Sequence, residues 1–266
     1  MGGRDLLGLA TQTARAAGTL LREHALNAPT NVASKSSRTD QVSDADRAAE
    51  ALIVSRIRAA RPGDRIVAEE GGGGDGPGWS GSGDLTWFVD PLDGTTNFLY
   101  GLPHWAVSIG CEDASGPIAG AVYDPLRDEL FAAQRGGGAY LGTRRLAVRP
   151  LTDLATALVA TGFSYDPAER GRQTEVAARL APRIRDLRRG GAASLDLAWV
   201  AAGRLDAYTE VMRSQWDWSA GALLVTEAGG RVSWTEHEEL VASGPALHDG
   251  LLALLRDAHE QREDTV

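Results

Sequence analysis

The stretch 90–98, DPLDGTTNF, concentrates side chains that can bind metal and phosphate. The apolar segment LTWFV before it predicts a buried strand, and its proline and glycine require a turn where that strand ends. Asp90 and Asp93 on such a turn can both point at one cation. The N–H groups of Gly94 and Thr95 would open a following helix and face an anion. Asp-Pro and Asp-Gly are also ordinary turn dipeptides, so a hydrogen-bonded turn explains these residues equally well.

Two helices are predicted ahead of this turn. Apolar residues recur every three to four positions over 6–21, which predicts a helix that packs through one face and ends before Pro29. Ser43 with Asp46 three residues later fits a capping box that starts a second helix, running to about residue 60. The cap is a sufficient structural role for Asp46.

Glu69 and Glu70 follow the short apolar segment 65–68, which reads as a strand. Paired glutamates in a loop are commonly solvated, but this strand would place Glu69 at the rim of a sheet, so the solvated and the functional interpretation both stay open.

The glycine-rich stretch 71–83 contains a G-x-G-x-x-G spacing, yet Pro77 interrupts it and a strand follows where a nucleotide fold needs a helix. We therefore expect a surface loop there.

The pattern of predicted secondary structure changes near residue 150. Short apolar segments over 104–148 predict an antiparallel meander, whereas strands and helices alternate afterwards, as in an α/β unit. We expect an N-terminal α+β half (1–148), a C-terminal α/β half (149–266) and a site in the cleft between them. The predicted strands of the second half are 157–160, 184–187, 205–210 and 231–234, and its helices are 168–180, 194–202, 218–228 and 246–258.

The composition narrows the classes of function. The 266 residues carry a formal net charge of -9, which argues against a nucleic-acid surface and makes an anionic substrate depend on something cationic. Cys111 is the only cysteine, so it forms no intrachain disulfide and reads as a small buried hydrophobe. No apolar run reaches the roughly 18 residues of a membrane span, and no signal peptide is recognisable. We expect a cytoplasmic protein without membrane or nucleic-acid partners.

A second acidic site follows in the C-terminal half. Asp217 stands at the start of a predicted helix, where an N-cap is its simplest role. Together with Glu69, Asp90 and Asp93 it forms a set of hard oxygen donors without neighbouring histidines and almost without lysine or arginine. Such a set suits magnesium or manganese rather than zinc.

Three motifs, in this order and spacing, resemble those of the inositol monophosphatase family of magnesium-dependent, lithium-sensitive phosphatases. They are Glu69-Glu70, the stretch 90–98, and Trp216-Asp217 running into Ala220-Gly221 and residues 227–230. The resemblance covers nearly the whole chain. It implies a layered αβαβα fold of the α/β class, a homodimer, and two to three Mg²⁺ per active site, with Mn²⁺ as the other candidate.

The resemblance also implies roles for the acidic residues. Glu69, Asp90 and the backbone carbonyl of Leu92 would bind a first metal ion. Asp90, Asp93 and Asp217 would bind the second ion. Glu69 and Asp90 thereby count as catalytic residues too.

The remaining implied roles concern water and phosphate. Thr95, paired with Asp46, would orient and help deprotonate the attacking water. The N–H groups of Gly94 and Thr95 would bind the phosphate. Lys35 would lie on a mobile flap that helps to place a further metal near Glu69, although its sequence context alone reads as a solvated loop.

Substrate choice is predicted from Glu210, seven residues before Asp217. Inositol-hydrolysing relatives resemble this chain in having a glutamate there that accepts hydrogen bonds from ring hydroxyls. Ala192 departs from the family's usual Ser or Thr, which puts ring orientation and selectivity in question. The implied substrate contacts are Asp93, Gly94, Thr95, Ala193, Glu210 and Asp217.

The resemblance implies a phosphate monoester hydrolase, with myo-inositol 1-phosphate or a close relative as substrate. The alternatives within the superfamily are phosphatases of histidinol phosphate, fructose bisphosphate or a 3′-phosphonucleotide. An RNA- or protein-binding regulator is the alternative from another class, since some bacterial relatives bind transcription machinery. A metal-dependent hydrolase that acts on something other than phosphate esters is the third alternative.

Overall fold

The computed structural model describes residues 3–26, 32–34, 41–71 and 83–263. Lys35 and residues 72–82 of the glycine-rich stretch lie outside the described residues. Two helices, α1 (Gly3–Ala25) and α2 (Asp44–Ala60), open the fold, with the short antiparallel strands β1 (Ala33–Ser34) and β2 (Gln41–Val42) between them. The periodic apolar residues of α1 are buried and the capping box at Ser43 is present. Both predicted helices are confirmed.

The first sheet has seven strands in sequence order. They are β3 (Arg65–Ala68), β4 (Thr86–Asp93), β5 (Ala106–Asp113), β6 (Gly116–Asp124), β7 (Glu129–Gln134), β8 (Gly138–Leu141) and β9 (Arg144–Arg145). β3 and β4 run parallel, and the other neighbouring strands are antiparallel. The predicted meander is confirmed.

The predicted turn within the stretch 90–98 lies later than expected. β4 continues through Pro91 to Asp93, because a register shift between Asp90 and Asp93 accommodates the residue without an N–H. The chain then turns at Gly94, whose φ of 93° is unfavourable for other residues, and enters the short helix α3 (Thr95–Leu99).

The second sheet has five strands in the order β11-β10-β12-β14-β13. The strands are β10 (Leu158–Thr161), β11 (Asp186–Arg188), β12 (Ala207–Val211), β13 (Arg231–Trp234) and β14 (Glu239–Ser243), and the helices are α4 (Pro167–Leu180), α5 (Ala193–Ala201), α6 (Gln215–Glu227) and α7 (Pro245–Glu263). β10, β11 and β12 are parallel, whereas β14 runs antiparallel to both of its neighbours. The prediction of strictly alternating strands and helices was therefore wrong at β14, which closes a hairpin with β13.

The elements stack in five layers. α1 and α2 cover one face of the seven-stranded sheet, α5 and α6 fill the space between the sheets, and α4 and α7 cover the outer face of the five-stranded sheet. Gly120 permits this close packing, since a Cβ there would lie 3.0 Å from the Cα of Ala220 on α6. The αβαβα layering of the α/β class is confirmed.

The two sheets use separate stretches of the chain, 65–145 and 158–243. Division into two units at 148 and 149 stays a prediction. Within the described ranges, no helix has both the length and the apolar character of a membrane span.

Candidate active site

A cavity of about 420 Å³ is lined by residues of both sheets and by most of the predicted site residues. The N-terminal half contributes the end of β3, the end of β4 and the start of α3. The C-terminal half contributes the starts of α5 and α6 and the end of β12. Its lining includes Glu69, Asp90, Leu92, Asp93, Gly94, Thr95, Ala192, Ala193, Glu210 and Asp217.

Asp46 does not line this cavity but lies directly behind Thr95. Thr95 Oγ1 donates to Asp46 Oδ1 at 2.9 Å and also lies 3.0 Å from the Leu92 carbonyl oxygen. The other carboxylate oxygen, Asp46 Oδ2, accepts from the backbone N–H of Ser43 at 2.8 Å and from Ser43 Oγ at 2.6 Å. The capping box therefore fixes Asp46 and leaves one oxygen for the threonine.

Asp93 joins the two halves of the chain. Its carboxylate accepts from the backbone N–H groups of Ala193 at 3.1 Å and Ser194 at 2.7 Å, and from Ser194 Oγ at 2.5 Å. These donors belong to the first turn of α5, whose own N-cap residue, Ala192, makes no side-chain cap. Asp93 thus caps a helix about 100 residues away in sequence.

Glu69 and Asp217 approach the cavity from opposite halves. Glu69 directly follows β3, and its N–H donates to the Val89 carbonyl at 3.1 Å, which extends the pairing with β4 by one residue. Asp217 is the third residue of α6, and Ser214 occupies the N-cap position. The simple N-cap interpretation of Asp217 was therefore wrong, because the helix begins earlier than its apolar pattern indicated.

The carboxylates in the cavity repel one another. Burial raises the pKa of Asp90 well above its usual value, and the charges of Glu69, Asp93 and Asp217 raise it further. Burial also raises the pKa of Asp93 to about 6, although the hydrogen bonds from Ser194 oppose this. Either protons or bound cations must offset so much buried negative charge.

The donor chemistry fits a hard divalent cation, since the cavity offers carboxylate oxygens and the Leu92 carbonyl. Within the described part of the chain, however, no three His, Cys, Asp or Glu side chains are grouped as a ready metal site. Asp90 Oδ1 instead accepts from the Leu92 N–H at 2.9 Å, and Asp90 also shares a hydrogen bond with Glu69. The ligand roles of these side chains stay predictions.

Glu210 also lines the cavity. The Tyr208 hydroxyl donates to Glu210 Oε2, and Gly162 leaves room for the carboxylate, which a Cβ at that position would overlap. Burial raises the pKa of Glu210 to about 7, and the charge of Arg189 partly opposes the shift. The carboxyl of Glu210 therefore holds its proton to a higher pH than an exposed glutamate does.

Sequence reasoning missed four residues that shape the site. Arg189 and Arg213 line the cavity, so the acidic set is less free of cations than the sequence indicated. Ser194 and Tyr208 hold Asp93 and Glu210 in place. Only Ser194 had a local signal, because it stands directly after the expected substrate contact Ala193.

Comparison with known proteins shows the family of the chain. The sequence model of the inositol monophosphatase family matches residues 4–261. Inositol-1-monophosphatase SuhB of Mycobacterium tuberculosis (strain H37Rv) is 43% identical over 235 residues, 85% of this chain and 81% of that protein. Nus factor SuhB of Pseudomonas aeruginosa is 43% identical over 246 residues, 91% of this chain and 90% of that protein. The crystal structure of the extragenic suppressor protein SuhB from Bartonella henselae superimposes with a TM-score of 0.86 at 35% identity, covering 95% of this chain and 98% of that one. The chain belongs to the inositol monophosphatase family.

Proposed function

We propose that this protein is a magnesium-dependent phosphate monoester hydrolase whose substrate is myo-inositol 1-phosphate or a close relative. One observation carries the proposal: carboxylates from both halves of the chain line one cavity beside the Thr95–Asp46 pair. The family is generally metal-dependent. A relative 43% identical to this chain is named inositol-1-monophosphatase, which supports the substrate.

The carboxylates would hold the metal. Glu69, Asp90 and the Leu92 carbonyl form one group of donors, and Asp90, Asp93 and Asp217 form the other. Bound divalent ions would offset the charge of the phosphate dianion and lower the pKa of water at the site. The raised pKa of Asp90 supports this role, because a cation relieves the same repulsion that a proton relieves.

Thr95 and Asp46 would orient the attacking water. The Thr95 hydroxyl donates a hydrogen bond to Asp46 Oδ1, so the lone pairs of Thr95 Oγ1 can accept a hydrogen bond from water. Asp46 is fully buried and its second oxygen is bound by Ser43, which keeps the pair rigid. A water held in this way presents its oxygen for attack on phosphorus.

Phosphate and polyol would bind on opposite sides of the cavity. The N–H groups of Gly94 and Thr95 would donate to phosphate oxygens, and the Glu210 carboxylate would accept from ring hydroxyls. The Ala193 N–H already donates to Asp93 at 3.1 Å, so any contact of Ala193 with substrate uses other atoms. Ala192 is buried and offers no hydroxyl, so we expect weaker selectivity among ring orientations.

The test is phosphate release from a panel of monoesters with Mg²⁺. The panel contains myo-inositol 1-phosphate, histidinol phosphate, fructose 1,6-bisphosphate and a 3′-phosphonucleotide. We expect the highest kcat/KM for the inositol phosphate and loss of turnover in Asp90→Asn. Asp249→Asn, which removes an exposed carboxylate paired with Arg231, is the matched control. Little turnover of inositol phosphate would refute the substrate, and a fully active Asp90→Asn would refute the site.

A regulatory role is the second candidate, because relatives such as that of Pseudomonas aeruginosa are named Nus factor. The net charge of -9 disfavours direct RNA binding, so a protein partner of the transcription machinery is the form to test. Pull-down with the wild type and with Asp90→Asn, in which we expect no turnover, separates the roles. Capture of transcription proteins by both would support a second function independent of phosphate hydrolysis, and capture by neither would count against it.

Two further expectations belong to this proposal. The homodimer implied by the family resemblance is tested by light scattering during size-exclusion chromatography. A contribution of Lys35 to metal binding is tested by the Mg²⁺ concentration that Lys35→Gln needs for half-maximal activity. We expect a dimer and a raised Mg²⁺ requirement, and a monomer or an unchanged requirement would contradict them.

A further inference from the structure

Glu112 is a buried carboxylate that the proposed reaction does not use. It lies near the end of β5 and is 8% exposed. Glu112 Oε2 accepts from Gln215 Nε2 at 2.7 Å, and Glu112 Oε1 accepts from Ser219 Oγ at 2.7 Å. Both donors lie on α6. We refer to these three residues as the Glu112 clamp.

The Glu112 clamp determines which way α6 faces. Gln215 and Ser219 are four residues apart, so their side chains project from the same face of the helix. Asp217 is two residues from each, which at 3.6 residues per turn places it roughly 200° around the axis. Asp217 lines the cavity, while Gln215 and Ser219 donate hydrogen bonds to Glu112 of the seven-stranded sheet. A rotation of α6 that moves Asp217 must therefore break the clamp.

The same contact sets the distance between the two halves of the site. β5 lies beside β4, and Ser108 of β5 pairs with Asp90 of β4. Ser108 Oγ also donates to the Trp216 carbonyl at 3.2 Å, one residue before Asp217. Gly110 lets α6 approach this closely, because a Cβ there would lie 3.2 Å from the backbone nitrogen of Ala220. The first turn of α6 is thus tied to the strand that borders Asp90.

We propose that Glu112 is a positioning residue for the divalent-cation site, which holds Asp217 at the correct distance and angle from Asp90. The inference rests on the proposed function, since it takes Asp217 as a metal ligand. Side chains that orient metal ligands typically change metal affinity by about 10-fold to 100-fold when they are substituted. Because Glu112 acts through a helix turn, we expect the lower end of that range.

The experiment measures binding of Mn²⁺ alone to the full chain by isothermal titration calorimetry. Glu112→Gln preserves volume but replaces one acceptor oxygen by a donor, so we expect the Kd for Mn²⁺ to rise about tenfold. Asp113→Asn is the matched control, because it removes the neighbouring carboxylate of β5, which pairs with Arg135 at 3.0 Å. Its Kd should equal that of the wild type.

Kinetics separate positioning from general destabilisation. In Glu112→Gln the Mg²⁺ concentration for half-maximal activity should rise about tenfold, in line with the Kd, while the KM for substrate at saturating Mg²⁺ stays within a factor of about two. A lower melting temperature with an unchanged Kd for Mn²⁺ would assign Glu112 a purely structural role and overturn the proposal. If Glu112→Gln fails to fold, Gln215→Ala decides, since Gln215 is only half-buried. Its Kd should rise severalfold, and an unchanged Kd overturns the proposal.

Asp217→Asn distinguishes the two proposals. If it weakens Mn²⁺ binding and folded Glu112→Gln does not, the metal site stands and the role of Glu112 is wrong. If Asp217→Asn binds Mn²⁺ like the wild type, the metal site itself is wrong and Glu112 has no ligand to position.

Discussion

Replacement of Glu210 by glutamine should stabilise the metal-free protein at alkaline pH. Burial raises the pKa of this carboxyl to about 7 from the usual 4.5. Below pH 4.5 the group is protonated in both the folded and the unfolded chain and has no effect on the pH dependence. Between pH 4.5 and 7 the unfolded chain ionises first, so stability falls as pH rises. Above pH 7 the full cost applies, up to about 3 kcal/mol at about 1.4 kcal/mol per pH unit.

Glutamine keeps the shape of the side chain, and its carbonyl can still accept from the Tyr208 hydroxyl. Glu210→Gln should therefore raise the melting temperature at pH 8.5 by up to roughly 6 °C, with most of the gain gone at pH 5. Thermal unfolding in chelator measures both values. Glu236→Gln, at an exposed glutamate, controls for the change in net charge.

The same variant should bind polyol substrates less tightly. Its KM for inositol 1-phosphate should rise about tenfold, because the proposed charge-assisted hydrogen bond from a ring hydroxyl to Glu210 would be lost. The KM for p-nitrophenyl phosphate, which has no ring hydroxyls, should change little. A melting temperature that changes with pH identically in the wild type and Glu210→Gln would refute the reasoning about buried charge.

Two further substitutions test the proposed role of Thr95 in orienting water and the contact between Gly162 and Glu210. Thr95→Val keeps the shape of the side chain but removes the hydroxyl that donates to Asp46, so kcat in a phosphate-release assay should fall about 100-fold or more, whereas Thr95→Ser should stay within about tenfold of the wild type. Retention of wild-type kcat by folded Thr95→Val would contradict this role. Gly162→Ala would place a Cβ against the Glu210 carboxylate and should raise the KM for inositol 1-phosphate severalfold, while Gly171→Ala on the open face of α4 should leave KM unchanged and stabilise by about 0.5–1 kcal/mol. Equal KM values for the two glycine variants would show that the cavity tolerates a methyl group beside Glu210.

Local patterns predicted the elements whose signals lie within a few residues. The apolar stripe of α1, the Ser43 capping box and the strand Arg65–Ala68 all appear where the sequence placed them. Periodicity and capping are properties of consecutive residues, so one sequence suffices to recognise them. β14 was missed because its five residues form a strand only through pairing with β12 and β13.

The contacts that complete the site connect distant parts of the chain. Asp93 caps α5 across about 100 residues, and Glu112 reaches α6 across a similar separation. Neither carboxylate has a sequence neighbour that reveals its partner, because both partners arrive only when the two sheets pack on either side of α5 and α6. Family resemblance assigned a role to Asp93 but none to Glu112.

Asp46 and Asp93 show why the sequence alone could not decide between a structural and a chemical role for a carboxylate. A carboxylate has two oxygens that can accept several hydrogen bonds, and Asp46 uses Oδ2 for the cap and Oδ1 for Thr95. Asp93 caps α5 and lines the cavity at once. A carboxylate that is tied into a helix end cannot swing away, so the structural contact is what gives it a fixed direction for binding. For these two residues the capping role therefore supports the proposed chemical role, and the two interpretations are not alternatives.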